Sequence, residues 1–310
     1  MDTEPELSVV IINWNTRTLL VRCLDNLLLD AQLSQTAIQV IVVDNASHDD
    51  SVDLLRSRYP GVACIANRTN VGFARANNQA TSLAMAPLLF LLNSDTAVQP
   101  GALHAINSYM AEHPSVGIVG LQLVNDDLSL QPSGKHFPTL LSTTIGLIPV
   151  PVRWRAAYDH RRNWRDYAKV ACVDEVSGAA MVVRCDVWQA LRGFDEQFYF
   201  FGEDIDLCWR AREAGYDVAY LPTARTLHTW GGARVNTPSI RQGLMSQRAH
   251  YMLIRKHCPA WQASVLRIFL IALTAARLVR SAIKLARHRD PHAATTAYLY
   301  ARELSSLLIG

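Results

Sequence analysis

Residues 86–101 read "APLLFLLNSDTAVQPG", in which an apolar run ends abruptly in polar residues. Four leucines and a phenylalanine run directly into Asn93, Ser94 and Asp95. An unbroken apolar run is typical of a parallel strand that is covered on both faces. Because ligands of open α/β sheets bind beyond the carboxyl ends of such strands, the sequence predicts a polar crevice where this strand ends.

Three further apolar runs in the first half have the same character. They read "SVVIIN" (8–13), "IQVIVVD" (38–44) and "VACIAN" (62–67). Apolar residues at helical spacing lie between the first two runs, and Ser and Asp residues suited to helix caps precede Val52. This alternation of strands and helices predicts a doubly wound α/β sheet.

Polar residues end these runs: Asn13, Asp44, and Asn93 followed by Asp95. We expect them to converge on one crevice, because the carboxyl ends of parallel strands share an edge of the sheet. The alternative is structural, since Asn and Asp favour turns and helix caps. Asp95 in particular could cap a helix that begins near Pro100.

The second half is less regular, and we predict four elements in it. They are a strand at about 179–183, a short helix up to Leu191, a helix at about 205–214 stopped by Gly215, and a strand at 217–221. An acidic cluster, Glu203, Asp204 and Asp206, stands at the start of the longer helix.

Composition indicates a globular cytoplasmic protein. Of its 310 residues, 50% are hydrophobic and 18% are charged, which suffices for one large core with or without an appendage. The six cysteines form no CxxC pair, as expected of reduced thiols. The start, "MDTEPELSVVIIN", is acidic where a secretory signal would be basic, so we expect a cytoplasmic location.

The formal net charge of +3 conceals an asymmetry along the chain. Residues 233–310 contain 12 Lys or Arg against 2 acids, whereas residues 1–232 contain 18 against 25. Regions of opposite sign usually have different partners. We therefore predict a domain at 1–232 and a basic, amphipathic helical extension at 233–310.

Seven blocks along the chain resemble a known family. In order they read "SVVIINWN", "VVDNASHDDS", "NVGFARANN", "LLNSDT", "VSGAAMVVR", "GFDEQFYFFGEDIDLCWRAREAGYDV" and "TLHTWGG". They resemble the inverting glycosyltransferases of family two, in particular the bacterial rhamnosyltransferase-like branch, over roughly residues 7–232. The resemblance implies the GT-A fold, a doubly wound sheet that carries nucleotide-diphosphate-sugar transferases.

The resemblance also implies a divalent cation, Mg²⁺ or Mn²⁺, which would neutralise the leaving diphosphate. In this family an Asp-x-Asp element follows a buried strand, and here it reads Asn93-Ser94-Asp95. Asp95 is then the expected metal ligand, while Asn93 would contact ribose or phosphate. His228 is the expected second ligand, although a lone His is more often structural. The residues after it, 230–232, would form a loop over the diphosphate.

By resemblance, Asp204 in "FFGEDIDLCWR" is the base that takes the acceptor proton, and Glu203 positions the acceptor or the base. The alternative is that these acids only favour the dipole of a helix N-terminus. Asp206 should have that structural role and face Arg210 one turn later.

The donor site is implied in the same way. Asp44 would accept the N3 proton of uracil or thymine, Arg75 would pair with a phosphate, and Gly72 would allow close approach of the backbone. The other residues expected around the nucleotide and its sugar are Asn13, Asn15, Asn45, Asn93, Ser94, Asp95, Ser177 and Gly178.

The C-terminal region suggests a surface for a membrane. Its longest uncharged apolar stretch, 268–276, has nine residues, fewer than the roughly 20 that span a bilayer, so we predict that it does not span. Arg277, Arg280, Lys284 and Arg287 share one side of a helix, as expected at a membrane interface. The alternative is packing on the transferase domain or on a second subunit of a homodimer.

A basic, aromatic stretch at 153–167 could form an acceptor-side loop, and no nucleic-acid-binding motif accompanies it. The resemblance therefore implies a metal-dependent inverting enzyme that moves a sugar onto a lipid-linked or polysaccharide acceptor at the inner face of the membrane. The first choice of donor is dTDP-L-rhamnose, and a UDP-sugar is the second. A sugar nucleotidyltransferase and a non-catalytic sugar-nucleotide-binding subunit stay open as alternatives.

Overall fold

The computed structural model describes residues 4–148, 162–164, 166–229, 239–288 and 291–309. The chain forms two compact units. The first contains residues 1–137 and 159–236, and the second contains residues 138–158 and 237–310. The sequence-based boundary near 233 falls outside the described residues, and the sequence did not assign 138–148 to the C-terminal unit.

The first unit is built on one large sheet and one separate pair of strands. In chain order the strands are β1 (Leu7–Asn13), β2 (Ile38–Asp44), β3 (Ala63–Ala66), β4 (Leu88–Asn93), β5 (Thr96–Val98), β6 (Val116–Val124), β7 (Leu130–Gln131), β8 (Gly134–Lys135), β9 (Ala171–Cys172), β10 (Glu175–Val176), β11 (Ala180–Arg184) and β12 (Asp217–His228). The large sheet has the order β3-β2-β1-β4-β11-β6-β12-β5, with β7 paired to β6 and β9 paired to β12, while β8 and β10 form the separate pair.

The helices of the first unit alternate with these strands. They are α1 (Arg17–Ser34), α2 (Ser51–Arg58), α3 (Phe73–Thr81), α4 (Ala102–Glu112), α6 (Cys185–Ala190) and α7 (Glu203–Glu213). Helices α1 and α4 pack on one face of the sheet with Phe90, whereas α3 and α7 pack on the other face with Leu89. Neighbouring residues of β4 thus point to opposite cores, which explains its unbroken apolar run.

The predicted α/β class is confirmed. The four apolar runs of the first half form β1 to β4, which pair in parallel. The sheet then becomes mixed, because β11 runs antiparallel to both β4 and β6. The predicted strand and helices of the second half also form, with α7 starting at Glu203.

The two longest strands of the sheet, β6 and β12, differ from the sequence prediction, and the short strands β5 and β7 to β10 were not predicted. No strand was predicted at β6, although all nine of its residues are buried. The last strand was predicted to end at residue 221, whereas β12 continues to His228 after a register shift between Leu221 and Arg225. Pro222 lies in that shift. Because proline cannot donate a hydrogen bond to a neighbouring strand, its presence in a sequence usually indicates the end of a strand.

Within the described residues, the second unit contains four helices: α5 (Leu140–Leu147), α8 (Ser239–His257), α9 (Ala260–His288) and α10 (Pro291–Ile309). Its core is formed by Ile254, Leu266, Leu270 and their neighbours. Leu140 and Leu147 pack against this core, so α5 belongs structurally to the C-terminal helices although it lies far from them in sequence.

Helix α9 is apolar along much of its length. An 18-residue window within Ala260–Arg287 has a mean hydropathy of 1.6 and is 22% buried. By length and composition alone this helix could cross a membrane, a test that some core helices of soluble proteins also pass. The prediction that it does not span was based only on the nine-residue uncharged stretch at 268–276. The apolar helix is much longer, since the segment Ala260–Arg287 has 28 residues.

Candidate active site

Several polar residues are brought to one edge of the sheet by its topology. Strands β1, β2, β4 and β12 end at this edge, and β11 begins there because it runs antiparallel to β4. The Asn93 N–H donates to the Ala179 carbonyl at 2.9 Å, which joins the end of β4 to the residue before β11. The edge therefore collects Asn13, Asp44 and Asp95, as the sequence indicated.

Asp95 lies beside His228. The residue is 8% exposed, its Oδ1 lies 3.5 Å from His228 Nε2, and its carbonyl accepts from Thr229 N–H at 2.9 Å. Asp95 is not the cap of the next helix. That role belongs to Asp30, whose carboxylate accepts from Gly101 N–H and Leu103 N–H at 2.5 and 2.9 Å.

Gln131 of β7 holds the imidazole of His228, a contact that the sequence pattern did not indicate. Its Nε2 donates to the His228 carbonyl at 2.7 Å, and its Oε1 lies 2.8 Å from His228 Nδ1. The side chain is anchored further by a bond from Nε2 to Asn125 Oδ1 at 2.6 Å. The Nε2 edge of the imidazole is thereby directed at Asp95.

These residues fit a divalent cation that is shared with a diphosphate. Asp95 offers carboxylate oxygens and His228 a ring nitrogen, and Asn93 Oδ1 is buried without a hydrogen-bond partner among the described residues. No group of three or more His, Cys, Asp or Glu residues suited to a metal occurs in the part of the chain that the structure describes. A cation here would therefore complete its shell with phosphate and water oxygens, as Mg²⁺ commonly does.

The ends of β1 and β2 form a buried polar network around Asp44. Its Oδ2 accepts from Asn13 Nδ2 at 2.8 Å and its Oδ1 from Ser47 N–H at 2.9 Å. Ser47 Oγ accepts in turn from Asn15 N–H at 2.9 Å. Ser47 was not singled out from the sequence, although it lies within the block "VVDNASHDDS".

Thr16 connects this network to the metal side of the edge. Its hydroxyl donates to Asn13 Oδ1 at 2.7 Å and lies 2.8 Å from Ser94 Oγ. Ser94 is therefore engaged inside the protein, and its contribution to donor binding would be indirect.

Asn45 and Gly72 have structural roles. The Asn45 amide donates to Asn70 Oδ1 and to the Gly72 carbonyl, and its oxygen accepts from Val71 N–H and Asn67 Nδ2. These four bonds use the whole hydrogen-bonding capacity of an amide.

Gly72 has φ +90, and a Cβ there would lie 2.8 Å from both the ring and the carbonyl of Tyr199. Its missing side chain makes room for Tyr199. Arg75, expected to meet a phosphate, is exposed, and its Nε lies 3.8 Å from Glu196 Oε2.

Asp204 is held at the same edge by the residues before β11. Its Oδ2 accepts from Gly178 N–H at 2.8 Å, and its Oδ1 accepts from Ile205 N–H at 2.9 Å. A Cβ on Gly178 would lie 3.1 Å from the Cβ of Asp204, so a side chain there would crowd the carboxylate. Ser177 N–H donates to the Ser133 carbonyl at 2.9 Å, which fixes this segment. Ser177 and Gly178 thus position Asp204.

Glu203 differs from its neighbour. The residue is 6% exposed, and its Oε2 is buried with no hydrogen-bond partner within the described ranges. Burial, and then the charge of Asp204, raise the pKa of Glu203 well above its usual value. A raised pKa favours the protonated form of Glu203, which cannot take a proton from an acceptor, so Asp204 is the better suited of the two to act as the base.

Two more acids lie near this helix start. Asp206 is fully buried and accepts from Arg210 Nε at 2.7 Å, as predicted from their spacing. Glu175 is also buried and pairs with Arg162 at 2.9 Å, a contact that the sequence did not suggest. The predicted closing loop at 230–232 and most of the stretch 153–167 lie outside the described residues.

The mixed α/β sheet, with two carboxylates and an imidazole at its carboxyl edge, has the GT-A fold, which solved glycosyltransferase structures share. A mannosyltransferase from Pyrobaculum calidifontis in complex with GDP-Man and Mn²⁺ aligns with 99% of this chain and 87% of its own, with a TM-score of 0.55 and 16% identity. GalNAc-T7 with UDP, GalNAc and Mn²⁺ aligns with 80% of this chain and 48% of its own, with a TM-score of 0.56 and 13% identity.

The chain belongs to the family described as "Glycosyltransferase like family 2", whose sequence model matches residues 5–250. The resemblance seen in the sequence is thereby confirmed. The N-acetylglucosaminyl-diphospho-decaprenol L-rhamnosyltransferase of Mycobacterium tuberculosis (strain ATCC 25618 / H37Rv) is 26% identical over 301 residues, which cover 91% of this chain and 96% of that protein. The O-antigen biosynthesis protein RfbC of Myxococcus xanthus is 27% identical over 74% of this chain and 18% of that protein. The protein is therefore a glycosyltransferase.

Proposed function

We propose that the protein transfers L-rhamnose from dTDP-L-rhamnose to a lipid-linked acceptor, with inversion at the anomeric carbon. The observation that carries the proposal is the meeting of Asp95, His228 and Asp204 on one sheet edge. The choice of sugar and acceptor is supported by the relative named N-acetylglucosaminyl-diphospho-decaprenol L-rhamnosyltransferase, which aligns over almost its whole length. A UDP-sugar is the second choice of donor, and a polysaccharide the second choice of acceptor.

In the proposed reaction, Asp204 accepts the proton of the acceptor hydroxyl while the oxygen forms a bond to the anomeric carbon. The bond between that carbon and the diphosphate oxygen breaks, and its electron pair leaves with the diphosphate. Mg²⁺ or Mn²⁺ held by Asp95 and His228 would neutralise the charge on the leaving group. Because attack and departure occur on opposite faces of the sugar, a single displacement inverts the configuration.

The buried residues of the edge prepare this arrangement. Gly178 N–H fixes one oxygen of Asp204, and Asn13 with Ser47 fixes Asp44 where the base of the nucleotide is expected. Bonds of this kind hold a group in its reactive geometry before the substrate arrives. A lipid-linked acceptor would place the reaction at the inner face of the cell membrane.

Release of dTDP from dTDP-L-rhamnose, measured with a polyprenyl-diphospho-N-acetylglucosamine acceptor and Mg²⁺ or Mn²⁺, tests the proposal. Asp204→Asn and Asp95→Asn should each lower the rate by at least about a hundredfold. Asp53→Asn changes an exposed acid of the same unit and serves as the matched control. Full activity of either site variant would remove the role given to that residue, and release of pyrophosphate from a nucleoside triphosphate and a sugar phosphate would favour a nucleotidyltransferase.

A further inference from the structure

Helix α9 presents apolar residues on two opposite faces. One face, with Ala263, Leu266 and Leu270, is buried in the core of the second unit. The other is exposed and forms what we term the outer stripe. At 100° per residue, its members fall within a sector of about 60°, and they are Trp261, Val265, Ile268, Ala272, Val279 and Ile283.

The outer stripe is long and well exposed. Ile268 is 69% exposed and Trp261 61%, although both are large apolar residues. At a rise of 1.5 Å per residue the stripe extends over about 33 Å. Soluble proteins rarely leave a continuous apolar surface of this length without a partner.

The charges beside the stripe identify the chemistry of that partner. Arg280, Lys284 and Arg287 are exposed and flank its C-terminal half, and no acid occurs in the sequence Ala260–His288. Arg277 was expected among these cations but points inward, since its guanidinium donates to Gln247 Oε1 at 3.2 Å and to the Leu147 carbonyl at 2.7 Å. The basic flank therefore has three cations.

We propose that the outer stripe lies in the interface of a membrane that contains anionic lipid, with the basic flank at the headgroup phosphates. A second copy of the chain fits less well, because it would bring another strongly basic surface: residues 233–310 carry 12 cations against 2 acids. An anionic leaflet supplies the opposite charge. Trp261 suits this position, since tryptophan is enriched at membrane interfaces.

Flotation of the full chain with lipid vesicles tests this proposal. Wild type should bind vesicles of phosphatidylcholine with phosphatidylglycerol more tightly than vesicles of phosphatidylcholine alone. The double change Ile268→Glu with Val279→Glu should abolish binding to both. Met85→Glu, at a residue of the first unit that is 72% exposed, is the matched control and should bind like wild type.

A second variant tests the basic flank without touching apolar packing. Replacement of Arg280, Lys284 and Arg287 by Gln should weaken binding to the anionic vesicles by about a hundredfold, because each cation near such a surface contributes about fivefold. Wild-type affinity of this variant, or of the stripe variant, would overturn the proposal. The proposal would also be overturned if the wild type were a dimer, the stripe variant were a monomer, and neither of them bound vesicles. Thermal stabilisation by the sugar-nucleotide donor, measured on the same variants, tests the proposed enzyme function separately from vesicle binding.

A second inference comes from the bonds of Gln131, a residue that is 4% exposed. The His228 carbonyl can only accept, so the amide nitrogen of Gln131 must face it. The amide oxygen then faces His228 Nδ1 and accepts a hydrogen bond from it, so whenever the ring is neutral its proton is held on Nδ1. In that tautomer Nε2, which lies on the side of Asp95, is the nitrogen that can bind a cation.

We infer that Gln131 is a positioning residue that selects the tautomer in which His228 can bind a cation through Nε2. This inference rests on the metal site of the proposed function. Metal-binding histidines generally donate their second ring N–H to such a partner, and loss of the partner commonly weakens metal affinity 10- to 100-fold.

Long-range ¹H–¹⁵N NMR of the histidine rings in the metal-free protein reports the tautomer directly. Gln131→Met should lose the Nδ1–H tautomer and lower Mn²⁺ affinity in the presence of dTDP by about 10- to 100-fold. Gln122→Met removes another buried Gln of the sheet, which bonds to Tyr167 and Tyr220, and should change neither. An unchanged tautomer in Gln131→Met overturns the inference, as does a wild type that binds no Mn²⁺; the second result alone also removes the proposed metal site.

Discussion

Glu203 and Asp204 are adjacent at the start of α7, yet their surroundings differ. Asp204 accepts two main-chain N–H bonds, whereas Glu203 is enclosed and has a strongly raised pKa. Because burial raises the pKa of Glu203 and so favours its neutral form, Glu203→Gln should keep the rate of dTDP release within about tenfold of wild type. Asp204→Asn should lower it at least about a hundredfold. Equal losses in steady-state assays of the two variants would show that Glu203 acts as an ionised group.

The same burial makes the stability of the protein depend on pH. An acid whose pKa is raised in the folded state contributes stability below its unfolded pKa, near 4.5, and loses it as the pH rises toward the folded pKa. In this interval the free energy of unfolding should fall by up to about 1.4 kcal/mol per pH unit on account of Glu203. Glu203→Gln removes this dependence, so the variant should gain on wild type from pH 4.5 upward. Urea unfolding at a series of pH values measures the difference, and parallel curves would contradict it.

Residue roles at the edge were only partly predictable from the sequence. Asp95, Asp204 and His228 stand out because their blocks occur in a known order. Gln131 does not, since its importance depends on a contact with His228, which lies 97 residues away. Asn45 and Gly72 are residue types that suit a ligand site, but in the structure their contacts are with other residues of the protein.

At the scale of elements, one side chain connects two helices. Asp30 near the end of α1 is 1% exposed, and its carboxylate accepts from the first N–H groups of α4. Asp30→Ala should lower the free energy of unfolding by about 2–3 kcal/mol, because it leaves two buried donors without acceptors. Chemical denaturation measures this loss. Asp53→Ala changes an exposed acid and should have no measurable effect, and an equally small effect of Asp30→Ala would show that water satisfies the donors.

The strands show which patterns can be read and which cannot. β1, β2 and β4 lie between two helical layers, so both of their faces are apolar and the runs are unbroken. β6 is equally buried, but Gly117, Gly120 and Gln122 interrupt its pattern. A Cβ on Gly120 would overlap Val176, so a neighbour that is distant in sequence requires a glycine at this position. Local pattern alone could not reveal that constraint.

At the scale of the whole molecule, the chain enters its C-terminal unit twice. The described residues 138–148 belong to that unit although the sequence-based boundary near 233 assigns them to the first domain. A chain that ends at residue 236 would expose Leu140 and Leu147, which pack against the core of the second unit in the full protein. We expect this shortened chain to aggregate and to bind a hydrophobic dye.

Changing both leucines to Ser should restore solubility of the shortened chain, because these residues are the apolar surface that the missing helices leave behind. Leu141→Ser, at a neighbour that is 57% exposed in the full protein, should not. Light scattering and dye fluorescence compare the three chains. A shortened chain that stays monomeric without substitution would show that α5 needs no partner.

The two apolar faces of α9 also bear on how fast such an enzyme meets its acceptor. A protein that is bound to a lipid surface through the outer stripe diffuses in the same plane as any acceptor anchored there by a hydrocarbon tail. Turnover then follows the mole fraction of acceptor within that surface and is insensitive to how many vesicles are suspended in a given volume. Diluting the acceptor with inert lipid would slow the reaction even though the total amount of acceptor stays the same.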